Sequence, residues 1–263
     1  MKPSISQQIK QLEKKEQLFL NKPENPLIKS TFRPMADKIQ DIIPDKLVST
    51  LDSVFYKGFL LVFEKGSPYI EKTYSRDKIE TDFDINNYAI ENHYNKRYIK
   101  RMDKPSKQAA LLNSSFSALE GGILGILGIG LPDIPLFLSV IIKTIYEVAL
   151  SYGFSYTTSE EEAYILLLIS AATASGDRQK EYDRQLEELG VKIDHAIEIK
   201  TEQDLYLKAA SKTLSDALLT AKFIQGIPLV GIVGGAVNYA VINKISYYAR
   251  MKYKKRYLRK KLL

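Results

Sequence analysis

The sequence predicts an all-α protein, a single multi-helix bundle with no significant sheet. Apolar residues recur every three or four positions over most of the chain, as they do on one face of a helix. No segment alternates apolar and polar residues in the way a half-buried strand does. The 263 residues are 45% hydrophobic and 26% charged, which provides enough apolar material for a sizeable core.

The first part of the chain predicts an arm followed by a helical domain. Residues 4–20 carry a few apolar positions among charges and predict a short polar helix, and the proline-containing segment 21–26 breaks it. We therefore expect an N-terminal arm over residues 1–30 and one helical domain over 31–263. Helical spacing continues over 34–62, and the polar, tyrosine-rich region 63–104 predicts shorter helices.

The rest of the chain predicts a series of longer helices. Gly153 suits the left-handed residue that ends a helix, and Ser159 with Glu162 has the spacing of a capping box. The last helix continues into the basic C-terminal tail. The helices before it are expected over 105–120, 135–152, 163–174, 178–200 and 203–224.

Two glycine-rich apolar windows, 121–130 and 226–235, hold nine of the 14 glycines. Glycines three or four residues apart leave a groove on a helix that another helix can approach closely. Two interpretations stay open: core helices packed on each other, or segments inserted at or into a bilayer. The residues expected to make these helix-packing or membrane contacts are Gly121, Gly122, Gly125, Gly128, Pro132, Asp133, Pro135, Gly226, Pro228, Gly231, Gly234 and Gly235.

Neither window predicts a full transmembrane helix, which needs about 20 apolar residues. Glu120 and Asp133 flank the first window, and Lys143 and Glu147 interrupt the helix after it. The uncharged run 223–243 contains Gln225, Pro228, Asn238 and four glycines. A shallow or re-entrant apolar hairpin on the cytoplasmic face fits better. Asp133, between two prolines, is interpreted as the N-cap of the next helix, with a functional buried acid as the alternative.

The C-terminal end is strongly basic, with nine Lys or Arg from Lys244 onward and no acid after Asp216. The net charge of +7 leaves −2 for the rest of the chain, and residues 158–204 carry twelve acids against five bases. Basic residues interleaved with tyrosine suit an anionic membrane surface; a solubilising helix end and, ranked lower, non-specific nucleic-acid binding are the alternatives. The expected anionic-surface contacts are Arg250, Lys252, Lys254, Lys255, Arg256, Arg259, Lys260 and Lys261.

Composition and motifs disfavour most catalytic chemistries. The chain has no cysteine, which excludes disulfides, Cys-ligated metals and thiol nucleophiles. His93 and His195 have no metal-ligand or nucleophile partner at a recognisable spacing, and dinucleotide and phosphate-loop motifs are missing. We therefore expect no catalytic, metal or cofactor-binding residues and no enzyme. The N-terminus has no signal peptide, so a cytoplasmic location is expected.

The glycine-rich segments and their flanks resemble the EcsC family, a bacterial family of helical proteins of unsettled function. The resemblance covers roughly residues 36–258. It implies no catalytic residue, but the family is named after a gene neighbour of an ABC transporter, which implies a transport or secretion context. The matching segments are 121–135, 152–154, 160–162, 227–235, Asn238 and 249–250.

These expectations combine into one functional hypothesis and its alternatives. We expect a non-enzymatic helical accessory protein, peripheral to the cytoplasmic membrane, whose partner is an anionic membrane surface or a membrane protein such as an ABC transporter. Nucleic acid is disfavoured as a partner. The alternative is a soluble bundle that binds a small apolar or lipid-like ligand between its small-residue helices. An enzyme would need polar residues that converge in a pocket.

Overall fold

A computed structural model describes residues 5–21, 44–92, 96–103, 133–200, 202–224 and 235–262. These residues form helices and no strand, so the predicted all-α bundle is confirmed. The predicted helix over 105–120 and most of both glycine-rich windows lie outside the described residues. The elements are α1 (Ile5–Leu20), α2 (Asp45–Leu61), a π-helical turn (Val62–Gly66), α3 (Ser67–Glu71), α4 (Arg76–Asn92), α5 (Lys96–Met102), α6 (Asp133–Ser151), α7 (Ser159–Thr173), α8 (Gly176–Asp194), α9 (Gln203–Ile224) and α10 (Gly235–Lys260).

Helices α6 and α7 form the centre of the bundle. Every described side chain of α6 is buried, and in α7 the run from Ala163 to Thr173 is buried on all sides. A helix that is apolar all round has no face for water, so both must be covered by their neighbours. The stretch Ile134–Ser151 is also the one described helix long and apolar enough to cross a membrane, and all of it is buried.

The structure has the predicted end of α6 at Gly153, but its start of α7 differs from the predicted one. Gly153 follows α6 with φ +73°, as expected for its capping role, and a Cβ there would lie 2.3 Å from Cζ of Phe83. The start of α7 is one residue earlier than predicted. Thr158, in extended backbone, accepts a hydrogen bond from the Glu161 amide at 3.2 Å, so Thr158 and not Ser159 is the cap.

The last helix, α10, lies against α1, α6, α7 and α8. It runs antiparallel to α7, because Glu161 at the start of α7 contacts Arg256 near the end of α10. It runs in the same direction as α6: the two pack together, and their C-terminal ends meet where the rings of Tyr152 and Tyr257 are 6.1 Å apart. The predicted basic tail is therefore an internal element of the bundle.

The segment expected to be an arm is part of the same core. Helix α1 packs antiparallel on α10, with Ile9, Leu12 and Phe19 buried. The ring of Phe19 stacks on that of Tyr248 at 4.9 Å. The arm boundary at residue 30 is thus wrong for residues 5–21, because the few apolar residues of α1 lie on one side and give it a face to bury.

Candidate functional site

Three of the predicted surface contacts are buried. Lys252, Lys255 and Arg256 are between 1% and 4% exposed, and each pairs with carboxylates inside the chain. In this structure the three side chains do not lie at the surface, so their contact with an anionic surface stays a prediction. A buried cation must be paired, and acids of α1, α7 and α8 provide the partners.

The first group of ion pairs, here the Glu16 cluster, joins α1, α8 and α10. Lys252 contacts Glu16, Asp183 and Glu187, at 2.5 Å for Asp183 and 2.7 Å for Glu187. Lys255 contacts Glu16 at 2.5 Å and Glu187 at 3.2 Å, and Arg259 reaches Glu187 at 2.6 Å. Three cations therefore face three carboxylates. The members are Glu16, Asp183, Glu187, Lys252, Lys255 and Arg259.

The electrostatics of the Glu16 cluster favour the charged forms of Lys252 and Glu187. Burial opposes the charge of Lys252, but Glu187, Glu16 and Asp183 outweigh it and raise the pKa of Lys252 above its ordinary value. Burial likewise opposes the charge of Glu187, yet Lys252, Lys255 and Arg259 lower the pKa of Glu187 to about 2. Both groups are thus charged at neutral pH, and the cluster holds α1 and α8 to α10.

The second group, here the Arg256 cluster, is built around one guanidinium. Arg256 binds Glu161 through Nη2 at 2.7 Å and Nη1 at 3.1 Å, and Asp194 through Nη2 at 2.8 Å and Nε at 3.0 Å. Its Cζ lies 4.4 Å and 4.3 Å from the ring centroids of Phe154 and Tyr164. Two bidentate carboxylates and two stacked rings use the whole guanidinium, so its role is structural.

The tyrosines of the last helix are also mostly internal. Tyr248 donates to Asp183, and Tyr257 donates to Asn87 at 2.9 Å. Tyr253 donates a longer bond to Glu161 at 3.4 Å. These three rings are buried, whereas we expected the tyrosines of this segment at the level of lipid headgroups. Buried tyrosine needs a hydroxyl partner, and the same acids that bind the cations provide it for two of the three.

The other predicted surface cations are less buried. Lys254 donates to Asp103 at 3.0 Å, Lys261 pairs with Glu91, and Lys260 lies 3.5 Å from Asp194. Arg250 is half-buried. Arg250 and Lys254 lie one turn apart on one side of α10, and Lys260 lies on another side, so the three do not form one basic face.

A recess of about 370 Å³ lies between α7, α8 and α10. Its cations Arg256, Arg259 and Lys260 each pair with a carboxylate, Asp194 or Glu187, that also lines it. His195, at its edge, hydrogen-bonds through Nδ1 to the Val191 carbonyl at 2.8 Å. The lining offers no unopposed charge for an anion. Within the described ranges, no three His, Asp or Glu side chains are grouped so as to hold a metal ion.

An exposed basic and aromatic surface lies beside the Glu16 cluster. Tyr239 and Tyr247 of α10 are 52% and 42% exposed, and Leu18 of α1 is 60% exposed. Phe19 joins the two helices here: its ring is 6.1 Å from that of Tyr247 and 5.7 Å from Nζ of Lys244. We call this surface the α1/α10 patch. Its members are Lys14, Lys15, Leu18, Tyr239, Lys244 and Tyr247.

The predicted glycine-window residues are largely outside the described part of the chain. Asp133 and Gly235 are the first residues of α6 and α10, and Pro135 is buried in the first turn of α6. Each window therefore leads directly into one helix of the parallel pair α6 and α10. The remaining predicted contacts, and His93, are not described: Gly121, Gly122, Gly125, Gly128, Pro132, Gly226, Pro228, Gly231 and Gly234.

Helix α6 contains a buried pair of oppositely charged residues. In the sequence these residues were interpreted only as charges that interrupt an apolar segment. Lys143 and Glu147 lie one turn apart on α6 and are 2% and 8% exposed. Glu147 Oε2 accepts no hydrogen bond from the described residues, and burial raises the pKa of Glu147 to about 7 despite Lys143. Burial also lowers the pKa of Lys143. A Lys and a Glu four residues apart in an apolar helix could have marked this pair.

Comparison with known proteins identifies the family. Residues 6–258 match the model of the EcsC protein family. The chain belongs to the EcsC family. The EcsC match includes α1, in agreement with the packing of α1 on α10 and not with a likeness that begins near residue 36.

Two relatives come from Bacillus subtilis (strain 168). The chain is 27% identical to Protein EcsC over 148 residues, which cover 55% of this chain and 59% of that protein. It is 26% identical to the uncharacterized protein YdbA over 171 residues, or 61% of this chain and 60% of that protein. The chain thus spans about three fifths of these curated relatives. No solved structure matches.

Proposed function

We propose that this EcsC-family protein is a non-enzymatic accessory protein that binds the cytoplasmic surface of an anionic membrane in a transport or secretion context. The observation that carries the proposal is the α1/α10 patch, where Lys244 and Tyr247 of α10 lie close to the Phe19 ring and Lys14, Lys15 and Leu18 are exposed on the same α1 helix. Tyrosine at an interface keeps its ring in the apolar region and its hydroxyl in water. Each lysine close to an anionic leaflet contributes about 1 kcal/mol.

The position of the patch in the chain also supports the proposal. Tyr239 lies four residues after Gly235, where the second glycine-rich window ends. A membrane that contacts the patch would therefore contact Tyr239, which belongs to the longest uncharged run of the sequence, residues 223–243. Salt screens the attraction between the lysines and the anionic headgroups but does not weaken apolar contacts. Binding should therefore resist salt if that segment inserts into the bilayer and should be salt-sensitive if it does not.

The partner follows from the same surface. The headgroups of an anionic bilayer attract the exposed lysines, and the transport context implied by the EcsC family adds a membrane protein, such as an ABC transporter, as a second partner at that bilayer. The alternative of a small apolar ligand gains no support from the recess between α7, α8 and α10, because charged residues line it.

Vesicle flotation tests the proposal. The protein is mixed with phosphatidylglycerol-rich or pure phosphatidylcholine vesicles at low and high salt. We expect binding to the anionic vesicles that high salt weakens. A variant with Lys14→Gln, Lys15→Gln and Lys244→Gln should bind at least about tenfold more weakly. Deletion of the chain from Lys244 onward is unsuitable, because it removes both ion-pair clusters and part of the core.

The matched control removes the same number of positive charges outside the α1/α10 patch. Lys46, Lys57 and Lys78 are exposed on α2 and α4. A variant with all three changed to Gln should bind like the wild type. Equal loss in both variants would show that net charge and not the patch governs binding, and an absence of binding to either vesicle would reject the proposal.

A further inference from the structure

Helix α1 covers the most basic part of α10. Its Glu16 carboxylate contacts both Lys252 and Lys255, and its Phe19 ring stacks on Tyr248. Glu16 is one of three carboxylates that face three cations. If α1 leaves, two carboxylates remain against three cations, and water reaches a surface of lysine and tyrosine. That surface has the composition that anionic lipid attracts.

Helix α1 itself has the composition of an interfacial membrane helix. Its buried side carries Ile9, Leu12 and Phe19 together with the polar Gln8 and Glu16, while Lys10, Lys14 and Lys15 are exposed. Such a helix lies in the membrane plane with its apolar face among the acyl chains and its lysines at the headgroups. In the described structure the apolar face packs on α10 instead.

The covalent connection allows both positions. In the sequence, 22 residues separate Asn21 from Pro44. Even where residues 34–43 are helical, as the sequence predicts, 22 residues can span roughly 55 Å, several times the width of a helix. Helix α1 can therefore leave α10 and remain tethered beside it.

From these contacts we infer that α1 is a releasable cover. On an anionic membrane α1 exchanges α10 for the bilayer, and the uncovered Lys252, Lys255 and Tyr248 face of α10 binds phospholipid headgroups in place of Glu16. The cover makes membrane binding depend on an internal ion pair. This inference rests on the proposed membrane function and adds its regulation.

Spin labels give a direct readout of the cover. The chain has no cysteine, so labels can be placed at Gln11→Cys on α1 and Val191→Cys on α8, both exposed. Without vesicles we expect one short label-to-label distance. Phosphatidylglycerol-rich vesicles should add a longer distance that grows with lipid, whereas phosphatidylcholine vesicles should not.

A charge variant tests the mechanism. Glu16→Gln removes the carboxylate that holds α1, so the longer distance should be more populated and anionic vesicles should bind roughly tenfold more tightly. Glu13→Gln makes the same charge change on α1 outside the Glu16 cluster and should behave like the wild type. Ile9→Ala weakens the apolar contact without a change in charge and should also increase the longer distance.

The outcomes separate the two proposals. If Glu16→Gln binds like the wild type and the distance stays short at saturating anionic lipid, the cover is wrong, while loss of binding in the patch variant keeps the membrane function. If neither the wild type nor Glu16→Gln binds any vesicle, both proposals fail. Circular dichroism of each variant verifies that the helices are retained.

Discussion

Glu16 and Lys252 lie 236 positions apart in the chain and form a buried ion pair between the first and the last described helices. Lys255 shares the same carboxylate at 2.5 Å. This relationship makes α1 part of the folded domain and places the basic C-terminal helix inside the bundle. It also explains why Lys252 and Lys255 are buried and not at the surface.

Removal of the cation from this pair should destabilise the fold strongly. Lys252→Met leaves Glu16, Asp183 and Glu187 facing two cations instead of three, and a broken buried pair costs about 3–5 kcal/mol. Lys260→Met, at an exposed position on the same helix, should cost less than about 1 kcal/mol. Urea unfolding measures both, and equal midpoints for the two variants would refute the buried cluster.

Replacement of the central guanidinium by an ammonium should also be costly. Arg256→Lys keeps the charge but cannot bind Glu161 and Asp194 bidentately or stack between Phe154 and Tyr164. We expect a loss of about 2–4 kcal/mol in the free energy of unfolding. Arg259→Lys, which is partly exposed and touches Glu187, should lose less than half as much. A similar loss for both would mean that Arg256 acts only as a charge.

Alanine substitutions at Gly153 and Gly176 distinguish the stability cost of backbone strain from that of steric overlap. Both have a positive φ, +73° and +60°. A Cβ at Gly153 would overlap the Phe83 ring, whereas nothing lies within 4 Å of one at Gly176. Gly176→Ala should therefore cost about 1 kcal/mol, and Gly153→Ala about 1–3 kcal/mol more. Thermal unfolding compares them, and Phe83→Leu should restore part of the loss at Gly153.

Glu147 should make the stability depend on pH near neutrality. Burial raises the pKa of Glu147 from 4.5 to about 7, so the folded state holds a proton that the unfolded state releases. This contribution is complete below pH 4.5 and is lost as the pH rises to about 7, by up to about 3 kcal/mol.

The variant Glu147→Gln isolates this contribution. Its free energy of unfolding should fall less between pH 5 and pH 8 than that of the wild type. Asp84→Asn, at an exposed position on α4, is the control and should keep the wild-type dependence. An unchanged pH dependence in Glu147→Gln would assign the effect to other groups.

Local patterns predicted the features that depend on neighbouring residues. The helical class, the helix over 163–174 and the end of α6 at Gly153 follow from spacing and from the conformational freedom of glycine. The predicted cap of α7 was one residue too late, because Thr158, Ser159 and the acids after them offer two overlapping capping patterns. Such errors are local.

The burial of the basic tail could not be predicted from local patterns. The Lys and Arg residues of α10 point to several sides of the helix, so its sequence shows no apolar face. A run of charged residues usually lies in solvent. Four of its acidic partners lie in the stretch 158–204 that the sequence marked as acidic: Glu161, Asp183, Glu187 and Asp194. The opposite charges of the α10 segment and of the stretch 158–204 could have predicted these ion pairs. Nothing in the sequence marked Glu16 of α1 as a partner.

The most direct measurement uses the absence of tryptophan from the chain. Tyr247→Trp places one fluorophore in the α1/α10 patch, and Tyr88→Trp places one on α4, at a position that is 70% exposed. With phosphatidylglycerol-rich vesicles, Trp emission from Tyr247→Trp should shift to shorter wavelength and be quenched by brominated lipid, while that from Tyr88→Trp should not change. An equal shift at both positions, or a shift only in Tyr88→Trp, would contradict membrane binding through the α1/α10 patch.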